Sequence, residues 1–254
     1  MNTEQTREEF ARQVKTMSAS AVFNAQEVLE AIAEASRQGP GRKTLDVGCG
    51  PGIVAEVLAR RGGQVAGIDV TPEMIRQAQT RCKEKGLSDA EFIVAPAERM
   101  PFPAGHFDAV VSRLTLHHVA DPVAVVAEMA RVLKSGGRMV LADVVSSEDV
   151  EESRLHNAIE VVRDPSHTRM LPLSELLSTA QSMGLRLIDR RDWVQRREFE
   201  EWMKIANAPE RTGPLRAVME SLARAGVRAG IDLRVNNDQI RFDHHLVMLA
   251  LNKP

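Results

Sequence analysis

Leu45-Asp46-Val47-Gly48-Cys49-Gly50-Pro51-Gly52 is the stretch on which the reading of this chain turns. Three glycines at alternate positions let a backbone turn sharply out of a buried strand and approach a ligand where a side chain would block it. Downstream, the apolar run from Val65 to Ile68 ends at Asp69, 21 residues after Gly48. At that separation a strand-helix-strand unit returns its second strand tip beside the first loop, with a carboxylate ready to accept from ribose hydroxyls. The two features together read as the site of a nucleoside-containing cofactor.

Two cofactor classes fit that outline. A dinucleotide would place its pyrophosphate on a helix N-terminus after G-x-G-x-x-G. Here the glycines run G-x-G-x-G, Pro51 sits between the last two, and the acid Asp46 precedes them. A negative charge at Asp46 opposes a pyrophosphate and suits an ammonium group, which S-adenosylmethionine carries together with a ribose and an adenine. In these residues the chain resembles the class I S-adenosylmethionine-dependent methyltransferases.

The resemblance extends along the chain. Ala95-Pro96-Ala97-Glu98-Arg99-Met100-Pro101-Phe102-Pro103, then Gly105-His106-Phe107-Asp108-Ala109-Val110-Val111-Ser112, is similar to the segment with which the ubiquinone/menaquinone-biosynthesis type covers adenine and enters its fourth strand. Ala130-Arg131-Val132-Leu133-Lys134-Ser135-Gly136-Gly137 matches the end of the pattern. The likeness implies a cofactor set of Asp46, Gly48, Cys49 and Gly50 in the loop, Asp69 and Val70 at the second strand tip, and Arg113 after the fourth strand. It adds the backbone of Ala97 and the side chain of Glu98 near the adenine edge, and Met74 on the ring. Met74 reads equally well as a core residue of its helix.

Composition narrows the partners. Lys and Arg total 33 against 35 Asp and Glu, so no global field draws in nucleic acid or an anionic membrane. The arginine-rich stretch 186–197 reads as a solvated strand edge. The N-terminus lacks an apolar leader and no stretch reaches the roughly 18 apolar residues of a membrane span, so the expected location is cytoplasmic. The only cysteines, Cys49 and Cys82, are too few for a metal cage. No N-P-P-Y or D-P-P-Y tetrapeptide, no Pro-Cys nucleophile and no tyrosine are present, which argues against a nucleic-acid substrate.

Strands alternate with helices throughout, the pattern of a doubly wound α/β fold. Strands are expected at 43–47, 64–69, 91–95, 107–112, 138–144, 185–194 and 244–251, with a turn at 134–137. Thr71-Pro72 is a helix-start signal. The resemblance implies a Rossmann-like seven-stranded sheet whose last strand inserts antiparallel between the fifth and sixth. The expected organisation is one domain over 1–254: an N-terminal helical cap at 1–36, a cofactor-binding core at 41–145, and helical insertions at 146–172 and 196–240. Insertions after the fifth and sixth strands fall over the carboxyl ends of the strands, where ligands sit, and read as lids.

The acceptor chemistry rests on strand tips. A hydroxyl nucleophile must be aligned and must lose its proton, so a nearby base helps. His117 and His118 lie just past the fourth strand and Asp143 near the end of the fifth, placing an imidazole and a carboxylate on neighbouring tips. Leu116-His117-His118 with Ala142-Asp143 is similar to small-molecule O-methyltransferases, which implies His117 as base and Asp143 as its partner. The same pair occurs in quinone C-methylating relatives, so the acceptor atom stays open. Arg163, Asp164 and His167, in the polar loop 163–169, are the substrate-side candidates; an ordinary turn is the alternative. His156 and the pair His244-His245 read as surface or packing residues, and no ligand spacing supports a metal. Met17, Phe23, Met170, Leu171, Trp202, Met203 and Ile205 offer soft pocket material or ordinary helix core.

The expected activity is methyl transfer from S-adenosylmethionine to an oxygen of a small metabolite. The rivals are C- or N-methylation of a quinone-like or heteroaromatic acceptor, a cofactor-binding cyclase or decarboxylase that transfers no methyl, a regulatory subunit, and a nicotinamide-dependent oxidoreductase. A homodimer is compatible with the sequence without being required by it.

Overall fold

The computed structural model describes residues 3–254, of Thr3 the backbone alone; Met1 and Asn2, the start of the expected cap, lie outside the described residues. Two helices, α1 (Thr3–Ala19) and α2 (Gln26–Ser36), precede the alternating core. That core runs β1 (Lys43–Val47), α3 (Ile53–Arg60), β2 (Gln64–Asp69), α4 (Pro72–Glu84), β3 (Ala90–Val94), β4 (Phe107–Arg113), α5 (Pro122–Val132) and β5 (Leu133–Val145). Beyond it come α6 (Val150–Arg163), α7 (Leu173–Ser182), β6 (Arg186–Glu198), α8 (Phe199–Ala206), α9 (Pro209–Arg224), β7 (Arg234–Asn236) and β8 (Gln239–Asn252).

Local chemistry explains the helix starts. Pro122 opens α5 with the Asp121 carboxylate accepting from Ala124 N at 2.9 Å. Asp149 caps α6 by accepting from the amides of Glu151 and Glu152. Pro72 opens α4 after Thr71, although the Thr71 hydroxyl makes no capping bond.

The sheet order is β3-β2-β1-β4-β5-β8-β6, with β8 antiparallel to both β5 and β6 and the earlier strands parallel. The late strand therefore inserts where the sequence reading put it. An eighth strand was not expected: β7 is three residues long and pairs only with the start of β8, too short to leave a periodic signature. The expected turn at 134–137 is an irregularity inside β5, where the register with β4 jumps from Phe107↔Leu133 to Ala109↔Arg138. β6 lies at the sheet edge, and its arginines pair locally, Arg190 with Asp192 and Arg191 with Asp189 and Glu34.

Burial divides into a layer on each face of the sheet and a third cluster. Val125, Met129 and Leu176 of α5 and α7 pack on one face; Leu29, Ile32, Ile53 and Leu58 of α2 and α3 pack on the other. Phe199, Trp202, Met203, Leu215, Met219 and Phe242 form the third, built from the segments after β6. Met203 is therefore core, as is Leu171 in the first layer. Both insertions and α1 lie toward the carboxyl ends of β1, β4 and β5, where two adjoining cavities open.

Candidate active site

The first cavity sits at the tips of β1, β2 and β4. Asp46, Gly48, Cys49, Gly50, Asp69, Val70, Met74, Ala97, Glu98 and Arg113 all line it, as do Phe10 and Met17 of α1, Phe23, and His118. The turn out of β1 carries positive φ at Gly48 (67°), Gly50 (51°) and Gly52 (80°). The reasons differ between positions. A Cβ on Gly50 would meet nothing within 4 Å, so this glycine leaves the backbone bare toward the cavity. A Cβ on Gly48 would lie 2.3 Å from Thr115 Cγ2 and 2.4 Å from Thr115 Oγ1. The missing side chain at Gly48 thus admits Thr115, and with it the β4 tip, rather than a ligand.

Asp69 locks the loop. Its Oδ2 accepts from Gly50 N at 3.0 Å and its Oδ1 from Thr71 N at 2.8 Å. Each oxygen keeps a second lone pair for another donor. Burial raises its pKa, against the opposing pull of those backbone amides. Asp46 is 1% exposed and its Oδ2 has no hydrogen-bond partner. Burial pushes its carboxyl up to about 7, opposed by the Ala55 amide and Arg113. Arg113 spends its Nη atoms on the carbonyls of Phe23 and Val22, at 2.8 and 3.1 Å, and so fastens the segment between α1 and α2 over the cavity. Arg7 of α1 donates to Val70 O at 2.9 Å on the other side. Burial makes the Cys49 thiol a very weak acid, and the Cys49 amide donates to Ile68 O, fixing β1 to β2.

The second cavity adjoins the first, and Phe10, Met17, Phe23, Leu114 and His118 are common to both. Its walls include His117, Arg163, Asp164, Met170, Trp202 and Ile205, which the sequence offered, and Gln13, Glu160, Gln195, Arg197 and His244, which it did not. A signal existed for His244: Phe242, His244 and Leu246 are buried while His245 is exposed, the alternation of one strand face. Gln13 sits on an amphipathic helix with no local cue.

His117 Nδ1 lies 2.5 Å from Asp143 Oδ1. Asp143 in turn accepts from the amides of Leu116 and Thr115 through Oδ2 and of Val144 through Oδ1. Burial disfavours the His117 cation, but the Asp143 charge outweighs it and the pKa ends raised. Burial likewise opposes the Asp143 charge, and His117 with the amides of Val144 and Leu116 keeps its pKa low. His118, its ring 4.2 Å from that of His117, is pushed down to about 4 by burial and by His117. Its Nδ1 meets Ser166 O at 3.1 Å, and Phe10 packs edge-on at 4.7 Å.

The loop at 163–169 folds inward. Asp164 Oδ2 accepts from Gln13 Nε2 at 2.8 Å, tying the loop to α1. Burial works against the Asp164 charge, yet His118 and Arg163 bring its pKa down to about 2. Arg163 stacks 4.8 Å over Trp202 and donates to Trp202 O. His167 is 2% exposed, bonded to Asn157 Oδ1 at 2.8 Å, and packs behind His117 at 5.6 Å without lining either cavity.

A glycine loop at β1, an acid at the tip of β2 and an inserted antiparallel strand define the class I methyltransferase architecture. A family model described as a methyltransferase domain matches residues 45–141. The chain is 31% identical over 183 residues to a ubiquinone biosynthesis O-methyltransferase of Xanthomonas axonopodis pv. citri, covering 68% of this chain and 72% of that one. It is 34% identical over 167 residues, 66% of each chain, to the uncharacterized methyltransferase YcgJ of Bacillus subtilis. The crystal structure of YcgJ superposes with a TM-score of 0.83 at 27% identity, over 90% of this chain and 99% of that one. The [4+2]-cyclase SpnF shares the fold, with a TM-score of 0.65 at 24% identity over 91% of this chain and 82% of that one. The chain belongs to the class I S-adenosylmethionine-dependent methyltransferases, and S-adenosylmethionine is its cofactor.

Proposed function

We propose that the protein methylates an oxygen of a small metabolite held in the second cavity, with His117 as general base. The observation that carries this is the His117–Asp143 pair, joined at 2.5 Å on neighbouring strand tips, with His117 lining the cavity beside the cofactor site.

The residues of the first cavity suit the cofactor. Asp46 Oδ2, buried without a partner, is an acceptor waiting for a donor of positive charge. Asp69 holds spare lone pairs for ribose hydroxyls, Gly50 leaves room for close approach, and Met74, Ala97 and Glu98 line the same cavity and would pack around an adenine. The bound sulfonium supplies an electrophilic methyl group. Asp143 holds the Nδ1 proton of His117, leaving Nε2 as the basic nitrogen that takes the acceptor proton. His118, kept neutral, stands where the two cavities meet and orients the acceptor without competing for its proton. Phe10, Met17 and Trp202 supply apolar walls that exclude water, and Arg163 and Asp164 bound the polar end.

The name of the Xanthomonas relative supports an oxygen as acceptor atom. No helix among the described residues is long and apolar enough to cross a membrane. The test is a screen of phenolic, enolic and alcoholic metabolites with radiolabelled methyl donor, comparing wild type with His117→Ala. Turnover that survives His117→Ala at full rate excludes the base, and products methylated only on carbon or nitrogen exclude the acceptor atom.

A further inference from the structure

A second cluster lies beside the second cavity, which two of its three residues line. His156 and Glu160, four residues apart on α6, share one helix face. His244 of β8 reaches the same point from the sheet. The ligand atoms of all three lie within 4.8 Å of one another, with Glu160 Oε1 3.0 Å from His244 Nε2 and 3.9 Å from His156 Nε2. The residues are 1%, 3% and 4% exposed in the order His156, Glu160, His244. Even so, both ring nitrogens of His156, Nε2 of His244 and Oε1 of Glu160 lack a hydrogen-bond partner, the 3.0 Å approach being misaligned for one. Buried polar atoms are nearly always paired, so several unpaired atoms converging on one point call for a partner the side chains do not supply.

We infer that His156, Glu160 and His244 bind a divalent transition-metal ion of the zinc type, through two imidazole nitrogens and one carboxylate oxygen. Metal bonds of about 2.0–2.2 Å hold ligand atoms roughly 3–4 Å apart, close to the separations found. Two histidines and a glutamate leave a coordination position open, and Glu160 and His244 line the second cavity, so the site adjoins the proposed acceptor pocket.

The surrounding charges agree. Burial holds His156 neutral, its pKa pushed down to about 3, and lowers that of His244, so both rings carry the free lone pair a metal needs. Burial opposes the Glu160 charge, but Arg163 beside it helps keep its pKa well below the usual value. Arg163 approaches the other oxygen, Oε2, at 3.4 Å, leaving Oε1 to the imidazoles. Arg197, the remaining buried cation here, is matched by Glu201 at 3.0 Å. The helical H-x-x-x-E spacing is visible in sequence, but the third ligand is distant in the chain, and without it the pair reads as packing.

The test uses tag-free, chelator-stripped protein titrated with Co2+ and followed by its visible absorption, with Zn2+ as competitor. Glu160→Gln and His156→Ala are measured in parallel, with S-adenosylhomocysteine affinity taken on the same samples. The expected result is one equivalent bound, about 30-fold or more weaker in each variant, with cofactor affinity retained. Binding of equal strength in the variants, or no binding to the wild type, overturns the inference and leaves a water at the centre. Should the variants not fold, zinc-edge anomalous diffraction from wild-type crystals decides: a peak among the three residues supports the site, and its absence rejects it. Loss of S-adenosylhomocysteine binding in the wild type would instead count against the cofactor reading and leave the metal result standing.

Discussion

Gly48→Ala tests the strand-tip geometry on which the site depends. The added Cβ meets Thr115 Cγ2 at 2.3 Å and Oγ1 at 2.4 Å, at a backbone φ of 67°. Left-handed backbone costs an L-residue about 1–2 kcal/mol, and overpacking a filled site costs typically about 1–3 kcal/mol. The variant should therefore lose about 2–5 kcal/mol, which for a chain of this length lowers the melting temperature by roughly 5–15 °C. Thr115→Ala removes the two nearest atoms and leaves Thr115 Cβ at 2.9 Å. The double variant should recover most of the overpacking part, so a double-mutant cycle by chemical unfolding should give a coupling of about 1–3 kcal/mol. The strain at φ remains, and the Thr115 hydroxyl contacts with the carbonyls of Val47, Gly48 and Arg113 are lost in either background. Calorimetric affinity for S-adenosylhomocysteine should follow the same order, weakest in the single variant and partly restored in the double. Strict additivity of the two substitutions would refute the claim that Gly48 exists to admit Thr115.

Other outcomes follow from the same geometry. Asp69→Ala should weaken S-adenosylhomocysteine about 10- to 150-fold, the range for losing hydrogen bonds to a charged group; unchanged affinity by calorimetry would remove Asp69 from the cofactor site. His117 has a raised pKa, so its basic form is lost as pH falls through that value, and the acid limb of activity should lie above the ordinary histidine value of 6.5. Asp143→Asn should move the His117 titration, followed by NMR of its ring proton, to lower pH and cut turnover about 10²–10⁴-fold; a titration that stays put would dissociate the pair. His118, His156 and His167 are depressed to about 4, 3 and 3, so the unfolded chain takes up protons the folded one refuses as pH drops below 6.5. At up to about 1.4 kcal/mol per pH unit each, these groups remove roughly 5 kcal/mol between pH 6.5 and 5. Circular dichroism melts should show a steep loss over that window, and a melting temperature equal at both ends would contradict the burial of these rings.

The cofactor half of the site was legible because it is local. A glycine turn, a strand-end acid and an Ala-Glu segment each announce themselves within a few residues, and every residue so named lines one cavity. His117 and Asp143 were legible because the family resemblance puts the fourth and fifth strands side by side, as β4 and β5 are. The acceptor half was less so. Gln13, Gln195 and His244 come from elements far apart in sequence, and nothing near Gln13 distinguishes it from any polar residue on a helix. His167 was offered from a loop whose composition suits a ligand; the loop instead folds inward, its polar groups spent on Gln13, Asn157 and Ser166.

By itself the sequence determined most of the strands and, through its resemblance to a known family, the sheet order, the cofactor class and the nearness of His117 to Asp143, because alternating hydrophobicity, glycine turns and strand-end acids are written at short range. Only the tertiary structure decided what Gly48 makes room for, how α1 closes over both cavities, and which residues of α6 and β8 meet in the interior. Those are contacts between segments whose separation along the chain carries no information about their distance in space, and they exist only once the insertions have packed against the strand tips.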